Sequence, residues 1–110
     1  MKKYIVVTTA CCSLEEARGI INILLEKRLI SCAQISNIDS SYYWQGKIEH
    51  KKEYLINMKT KKELYKEIEK TIKENHSYEV PEIIAYDIMF ASNEFLDWID
   101  NETRSEIKSI

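Results

Sequence analysis

The sequence predicts an α+β fold: a ferredoxin-like split β-α-β sandwich with a long β-hairpin and a short C-terminal helix. Three observations carry this. Strand-like and helix-like segments follow one another in the order β-α-β-β-α-β, with a final short helical segment. Aromatic residues run into Gln45-Gly46, the signal of a tight hairpin turn with Gly46 at positive φ. Pro81, the only proline, stops the helical pattern before it and lets an extended segment begin after it. Right-handed crossovers turn this order into the split β-α-β arrangement.

The elements follow in turn. Tyr4 to Thr9 is a continuous β-rich run, which reads as a strand buried on both faces. Ser13 is positioned to cap a helix, and Glu16 three residues on completes a capping box. Leu14, Ala17, Ile21, Leu24 and Leu25 recur at helical spacing, with Ile20 widening the stripe. Leu29 to Ile38 reads as extended, with Cys32 a small buried hydrophobe. The hairpin returns over His50 to Thr60, where Tyr54, Ile56 and Met58 alternate with more polar neighbours. Lys61 to Asn75 forms the second helix, with Leu64, Ile68 and Ile72 four apart. Ile83 to Phe90 reads as the last strand. Asn93 is the expected cap of the final helix, and the polar tail from Asn101 is expected to fray.

Composition narrows the function. With 110 residues, 45% apolar and 31% charged, the chain fits one soluble domain over residues 1–110. A chain this short buries only about two thirds of its unfolded surface. The first and last strands are apolar on both sides, while the two helices cover one face of the sheet. A second copy of the chain is the natural cover for the other. A net charge of −2 argues against a nucleic-acid partner held by long-range attraction. Tyr4 to Val7 is too short for export or a membrane span, so no membrane partner and a cytoplasmic location are expected. Three cysteines, two of them adjacent, do not form a disulfide framework. The three arginines, Arg18, Arg28 and Arg104, lie in no glycine-rich loop, which speaks against a hydrolase built on an anion cradle.

Residues 76–84, His-Ser-Tyr-Glu-Val-Pro-Glu-Ile-Ile, place an imidazole, a phenol and two carboxylates at a helix-to-strand junction. His76 reads either as a solvent-facing residue at a helix C-terminus or as a metal ligand. Cys11 and Cys12 read either as a small-residue turn or as soft-metal donors, although they lack the Cys-x-x-Cys spacing. Tyr78, Glu79 and Glu82 read as the wall of a polar pocket, with Glu82 accepting amides or pairing with Lys47; acid–base catalysis is the weaker reading. Trp44 and its flanking tyrosines, Tyr43 among them, read either as a ligand platform or, the stronger reading, as packing anchors at an interface.

Tyr43-Trp44-Gln45-Gly46-Lys47-Ile48, Ser31-Cys32-Ala33, Tyr78-Glu79-Val80-Pro81-Glu82-Ile83-Ile84 and Leu96-Asp97-Trp98-Ile99 together resemble the CutA family of divalent-ion tolerance proteins. The resemblance runs from the first strand to the last helix. It implies a tight homotrimer, similar to the PII signalling proteins, in which the hairpin carrying Tyr43, Trp44 and Gly46 reaches neighbouring subunits, Pro81 lies near the interface, and the polar pocket of Lys47, Tyr78, Glu79 and Glu82 lies between subunits. It implies a non-enzymatic role in tolerance of copper and other divalent cations, with no required cofactor and copper or another divalent metal as a direct ligand. The alternative is a PII-like module binding a small ligand in clefts between subunits. Copper-binding members of the family place a second histidine before the one matching His76 and a cysteine in the first strand. Here those positions are Asn75 and Thr9, and Cys12 stands where the family more often has proline.

Overall fold

The computed structural model describes residues 2–105. The elements are β1 (Tyr4–Cys11), α1 (Leu14–Glu26), β2 (Cys32–Trp44), β3 (Lys47–Lys61), a 3-10 turn (Lys62–Leu64), α2 (Tyr65–Asn75), β4 (Ile84–Asp87) and α3 (Asn93–Glu102). The four strands form one antiparallel sheet in the order β2-β3-β1-β4. This is the split β-α-β arrangement. None of the described helices is long and apolar enough to cross a membrane.

Side chains alternate across each strand, so register decides which face a residue takes. Val7 pairs with Met58 and Thr9 with Ile56. These positions, with Ile5 and Cys11, face α1 and α2. Ala17, Ile20 and Leu24 from α1 and Leu64, Ile68 and Ile72 from the second helical segment close the core over them. Ile21 is only partly buried and Leu25 is 39% exposed, so the apolar stripe of α1 is narrower than its spacing suggests.

Local chemistry sets the ends. Ser13 accepts the Glu16 amide at 3.1 Å, as an N-cap should. The C-terminus of α1 closes as a Schellman motif: Leu29 N–H donates to Leu24 and Arg28 N–H to Leu25. Arg28 takes φ 57° in the position that usually holds glycine. Gln45 and Gly46, at φ 52° and 80°, make a two-residue turn with both central residues left-handed.

Several boundaries differ from expectation. β1 runs two residues further, to Cys11, because β3 keeps pairing with it as far as Tyr54. β2 and β3 are each one continuous strand, paired from Cys32–Lys59 out to Trp44–Lys47. α2 begins at Tyr65 after a 3-10 turn. β4 stops at Asp87 because its partner β1 begins at Tyr4; only Ile88 N–H reaches one residue further, to the Tyr4 carbonyl. Met89 and Phe90 therefore lie outside the strand. The cap of α3 is Ser92, which accepts the Phe95 amide at 3.2 Å, not Asn93. Cys32 is half-buried rather than buried. The tail is docked through Arg104: Thr103 is buried, Arg104 N–H donates to the Arg28 carbonyl at 2.8 Å, and Lys61 reaches both Thr103 O and Asp100 at 3.5 Å. Residues 106–110 of that tail lie outside the described residues.

β1 accompanies β3 only from Tyr54 to Lys61. The rest of the hairpin, from about Ile38 to Glu53, projects as a two-stranded arm. An isolated two-stranded ribbon is marginal in water, and this one carries exposed Tyr42, Tyr43, Trp44 and Ile48.

Candidate functional site

The extension of β1 brings Cys11 beside the C-cap of α2, which is His76. His76 Nε2 lies 2.9 Å from the Ala10 carbonyl and 3.9 Å from Cys11 Sγ. The Tyr78 amide donates to His76 Nδ1 at 3.1 Å. An N–H donor at Nδ1 leaves the ring proton on Nε2, which donates to Ala10. The half-buried imidazole is thus held by backbone on both sides. It is not a solvent-facing residue.

Glu16 joins the cluster from the first turn of α1. Its carboxylate accepts the Ser77 amide at 2.8 Å and contacts Cys12 Sγ at 3.8 Å. The capping box is therefore half-built: Ser13 holds the Glu16 amide, while the Glu16 side chain ties α1 to the segment after α2. Burial pushes the Glu16 carboxyl up, but hydrogen bonds from Ser77 and the Cys12 backbone outweigh it and hold the group below its usual value. Burial, reinforced by the Glu16 charge, pushes the Cys11 thiol up to about 12. Cys11 is fully buried, whereas Cys12 is exposed at the rim, 3.7 Å from Ser77 Oγ.

Donor atoms of Cys11, Glu16 and His76 all lie within 4.8 Å of one another. Among the described residues this is the one group of three or more potential ligating side chains that converges in this way. Cys11 and His76 were singled out by sequence. Glu16 was not, because its spacing from Ser13 accounted for it as a capping residue. Cys12 stands beside the cluster through Glu16 and Ser77 and is not one of its three members.

Tyr78 links this cluster to a groove of about 1010 Å³ between the projecting arm and residues 77–82. Its ring lies 4.9 Å from that of His76. Its hydroxyl donates to Glu53 Oε2 at 2.5 Å, and burial, then that bond and the Glu53 charge, push the phenol pKa up. Tyr78, Glu79, Pro81 and Glu82 line the groove. Glu82 accepts from Thr8 Oγ1 at 3.3 Å and is not paired with Lys47. Lys47 pairs with Trp44 beside the hairpin turn, outside the groove lining. The cation that does meet Tyr78 is Lys51, whose Nζ lies 4.9 Å above its ring. Tyr43 and Trp44 line the groove from the arm, and Gly46 sits at its tip. Glu53 and Lys51 carried no flag in the sequence. The alternation of β3 assigns Glu53 to the face opposite Ile56, but only the fold shows Tyr78 arriving over it.

The fold and the cluster define a class: a ferredoxin-like subunit with a thiol, a carboxylate and an imidazole gathered at one end of the sheet. The family model for the CutA1 divalent ion tolerance protein matches residues 5–102, and the chain belongs to that family. The divalent-cation tolerance protein CutA of Pyrococcus horikoshii is 38% identical over 100 residues, covering 91% of this chain and 98% of that one. The CutA of Archaeoglobus fulgidus is 43% identical over 100 residues, covering 91% and 96%. Among solved structures, CutA1 from Oryza sativa superposes with a TM-score of 0.91 at 31% identity, covering 94% of this chain and 96% of that one. CutA1 from Pyrococcus horikoshii superposes at 0.88 and 37% identity, covering 92% and 99%.

Proposed function

We propose that this protein is a non-enzymatic, homotrimeric divalent-cation tolerance protein that binds a borderline or soft metal ion directly, copper foremost, through Cys11, Glu16 and His76, with Cys12 at the rim. The observation that carries this is the convergence of those three donors within 4.8 Å in a chain of this family. A mixed sulfur, oxygen and nitrogen set suits copper or zinc better than magnesium or calcium. Binding displaces the Cys11 proton and exchanges the His76–Ala10 hydrogen bond for a metal bond, so it couples to the backbone at Tyr78. The non-enzymatic reading is supported by the same thiol: pushed up to about 12, it is the opposite of an activated nucleophile. The trimer is supported by the projecting aromatic arm and by exposed Tyr86, Met89 and Phe90 beside β4. Relatives named for the chloroplast in Arabidopsis thaliana and the periplasm in Archaeoglobus fulgidus show that the family spans compartments.

Calorimetric titration of the metal-free protein with Cu(II), repeated with His76→Ala, Cys11→Ser and Glu16→Gln, tests the metal reading. One ion per chain is expected, weakened at least about tenfold in each variant. Equal binding by all four proteins would remove Cys11, Glu16 and His76 as the ligands. Light scattering tests the assembly, where a particle of three 13.0 kDa chains is expected.

A further inference from the structure

We propose that Tyr78 and Glu53 form a latch that opposes the binding of an ion at His76 and ties it to the set of the projecting arm, an inference that rests on the ion site proposed above. Tyr78 touches no ion in this scheme. It is a positioning residue that acts through His76.

A neutral imidazole has one lone pair and one N–H. In His76 backbone takes both: Nδ1 accepts from the Tyr78 amide at 3.1 Å, and Nε2 donates to the Ala10 carbonyl at 2.9 Å. An ion needs the lone pair. If it bonds at Nδ1, it displaces the Tyr78 amide directly. If it bonds at Nε2, the nitrogen 3.9 Å from Cys11 Sγ, the ring proton moves to Nδ1 and points at the Tyr78 N–H. Turning the ring over puts carbon opposite that amide. Each route costs Tyr78 its acceptor. Glu16 behaves differently, although it holds the neighbouring amide. Its Oε2 accepts the Ser77 N–H at 2.8 Å, and its other oxygen, which faces Cys12, is left to share. The conflict is therefore confined to Tyr78.

Tyr78 is not free to move aside. Its hydroxyl donates to Glu53 Oε2 at 2.5 Å, and Lys51 Nζ stands 4.9 Å over its ring. Glu53 is 6% exposed and sits in β3 opposite Ile38, where the arm leaves the sheet. A hydroxyl bonded to a carboxylate this deep holds more strongly than an exposed pair, because breaking it strands a charge. The base of the arm thus keeps Tyr78 where its amide occupies His76. Ion binding works against that bond. The coupling is reciprocal: whatever lifts Tyr78 from Glu53 raises the affinity of His76 for the ion.

The test uses the full chain in its native assembly, with Cu(II) as the probe. Nuclear magnetic resonance of the ring nitrogens in the metal-free protein should place the His76 proton on Nε2; a proton on Nδ1 would overturn the latch whatever copper does. Hydrogen exchange at single-amide resolution should speed up at least about tenfold at Tyr78 on copper loading, and less at Ser77. A Tyr78 amide as protected in the loaded protein as in the metal-free one would overturn the latch, since the ring would then hold the ion as an imidazolate. In calorimetric titration, Tyr78→Phe keeps the ring and the amide and loses only the hydroxyl. It should bind copper several-fold more tightly than the wild type, Glu53→Gln should do so to a lesser degree, and the double variant should bind no more tightly than Tyr78→Phe alone. A hydroxyl that merely stabilised the site would give the opposite sign, so unchanged or weaker binding by Tyr78→Phe would overturn the latch while leaving the ion site standing. Copper binding by His76→Ala equal to that of the wild type would instead remove the ion site, and the latch with it.

Discussion

The two faces of the sheet use the same four strands and reach opposite states. Ile5, Val7, Ile56 and Met58 face α1 and α2 and are buried with their neighbours into one core. The other face is completed only at one end. There α3 buries Ile99 and Thr103 against it, and Lys61 fixes the C-terminal turn of the helix. Along β4 Tyr86 is 56% exposed, and Met89 and Phe90, just past the end of that strand, are 81% and 88% exposed. The difference teaches that this subunit solves its folding problem on one side only. The first face is closed by the chain itself, so changes there should register as lost folding stability. The second is left open by the chain, so under the proposed trimer changes there should register as lost association.

The sharpest way to break that distinction is a pair of substitutions. Ile68→Ala empties a fully buried position and should cost about 2–5 kcal/mol, read from chemical denaturation. Tyr86→Asp, on the open side, should instead lower the particle mass seen by light scattering while the far-ultraviolet circular dichroism of the subunit persists. Equal loss of structure in both variants would mean that the two sides are not energetically distinct.

Adjacent Cys11 and Cys12 carry the comparison to one peptide unit. Cys11 points into the covered face and its thiol is pushed up to about 12, while Cys12 is exposed. At neutral pH burial keeps Cys11 protonated and out of reach of reagents, while Cys12 meets solvent. Mass spectrometry after iodoacetamide treatment should show Cys12 carrying the label and Cys11 unlabelled until the protein is denatured. Labelling of Cys11 at a similar rate would place it outside the core.

The cluster at Asp100 is the next smaller effect. Its carboxylate meets Lys2 at 2.8 Å and the buried Lys61 at 3.5 Å. Asp100→Asn should cost about 1–2 kcal/mol, less than breaking a fully buried pair because Asp100 is partly exposed to solvent. The Lys2 hydrogen bond, with help from Lys61, holds the folded carboxyl below its usual range. Its stabilisation is therefore complete above the unfolded value of about 3.9 and is lost as pH falls through the lower folded value. The gap in midpoint between wild type and Asp100→Asn should close in that acid window.

The order of elements was legible because each has its own period: a β-rich run, helical spacing, or alternation around Gln45-Gly46. Strand ends were less legible, because pairing decides them. β1 reaches Cys11 only because Tyr54 is its partner, and β4 stops at Asp87 only because β1 has begun. The site was half legible for the same reason. His76 and Cys11 stand out by chemistry, whereas Glu16 reads as fully employed at a helix start and nothing local marks Glu53. Sixty-one residues separate Glu16 from Ser77. No local pattern reports a bond of that span.

The smallest effect separates the two serine caps. Ser13 caps α1, whose Ala17, Ile20 and Leu24 are locked in the core, and Ser92 caps α3, where Ile99 is the one buried helical residue. Each alanine substitution removes one side-chain bond to an amide in the first turn, in general about 1 kcal/mol. For Ser13→Ala that loss should appear in the global denaturation midpoint, because α1 unfolds only with the core. For Ser92→Ala it should appear first as faster hydrogen exchange at the Phe95 amide, with the midpoint moving less, because the start of α3 can open without disturbing the sheet. If the two caps shift the midpoint alike, the open side is as tightly coupled to folding as the covered one.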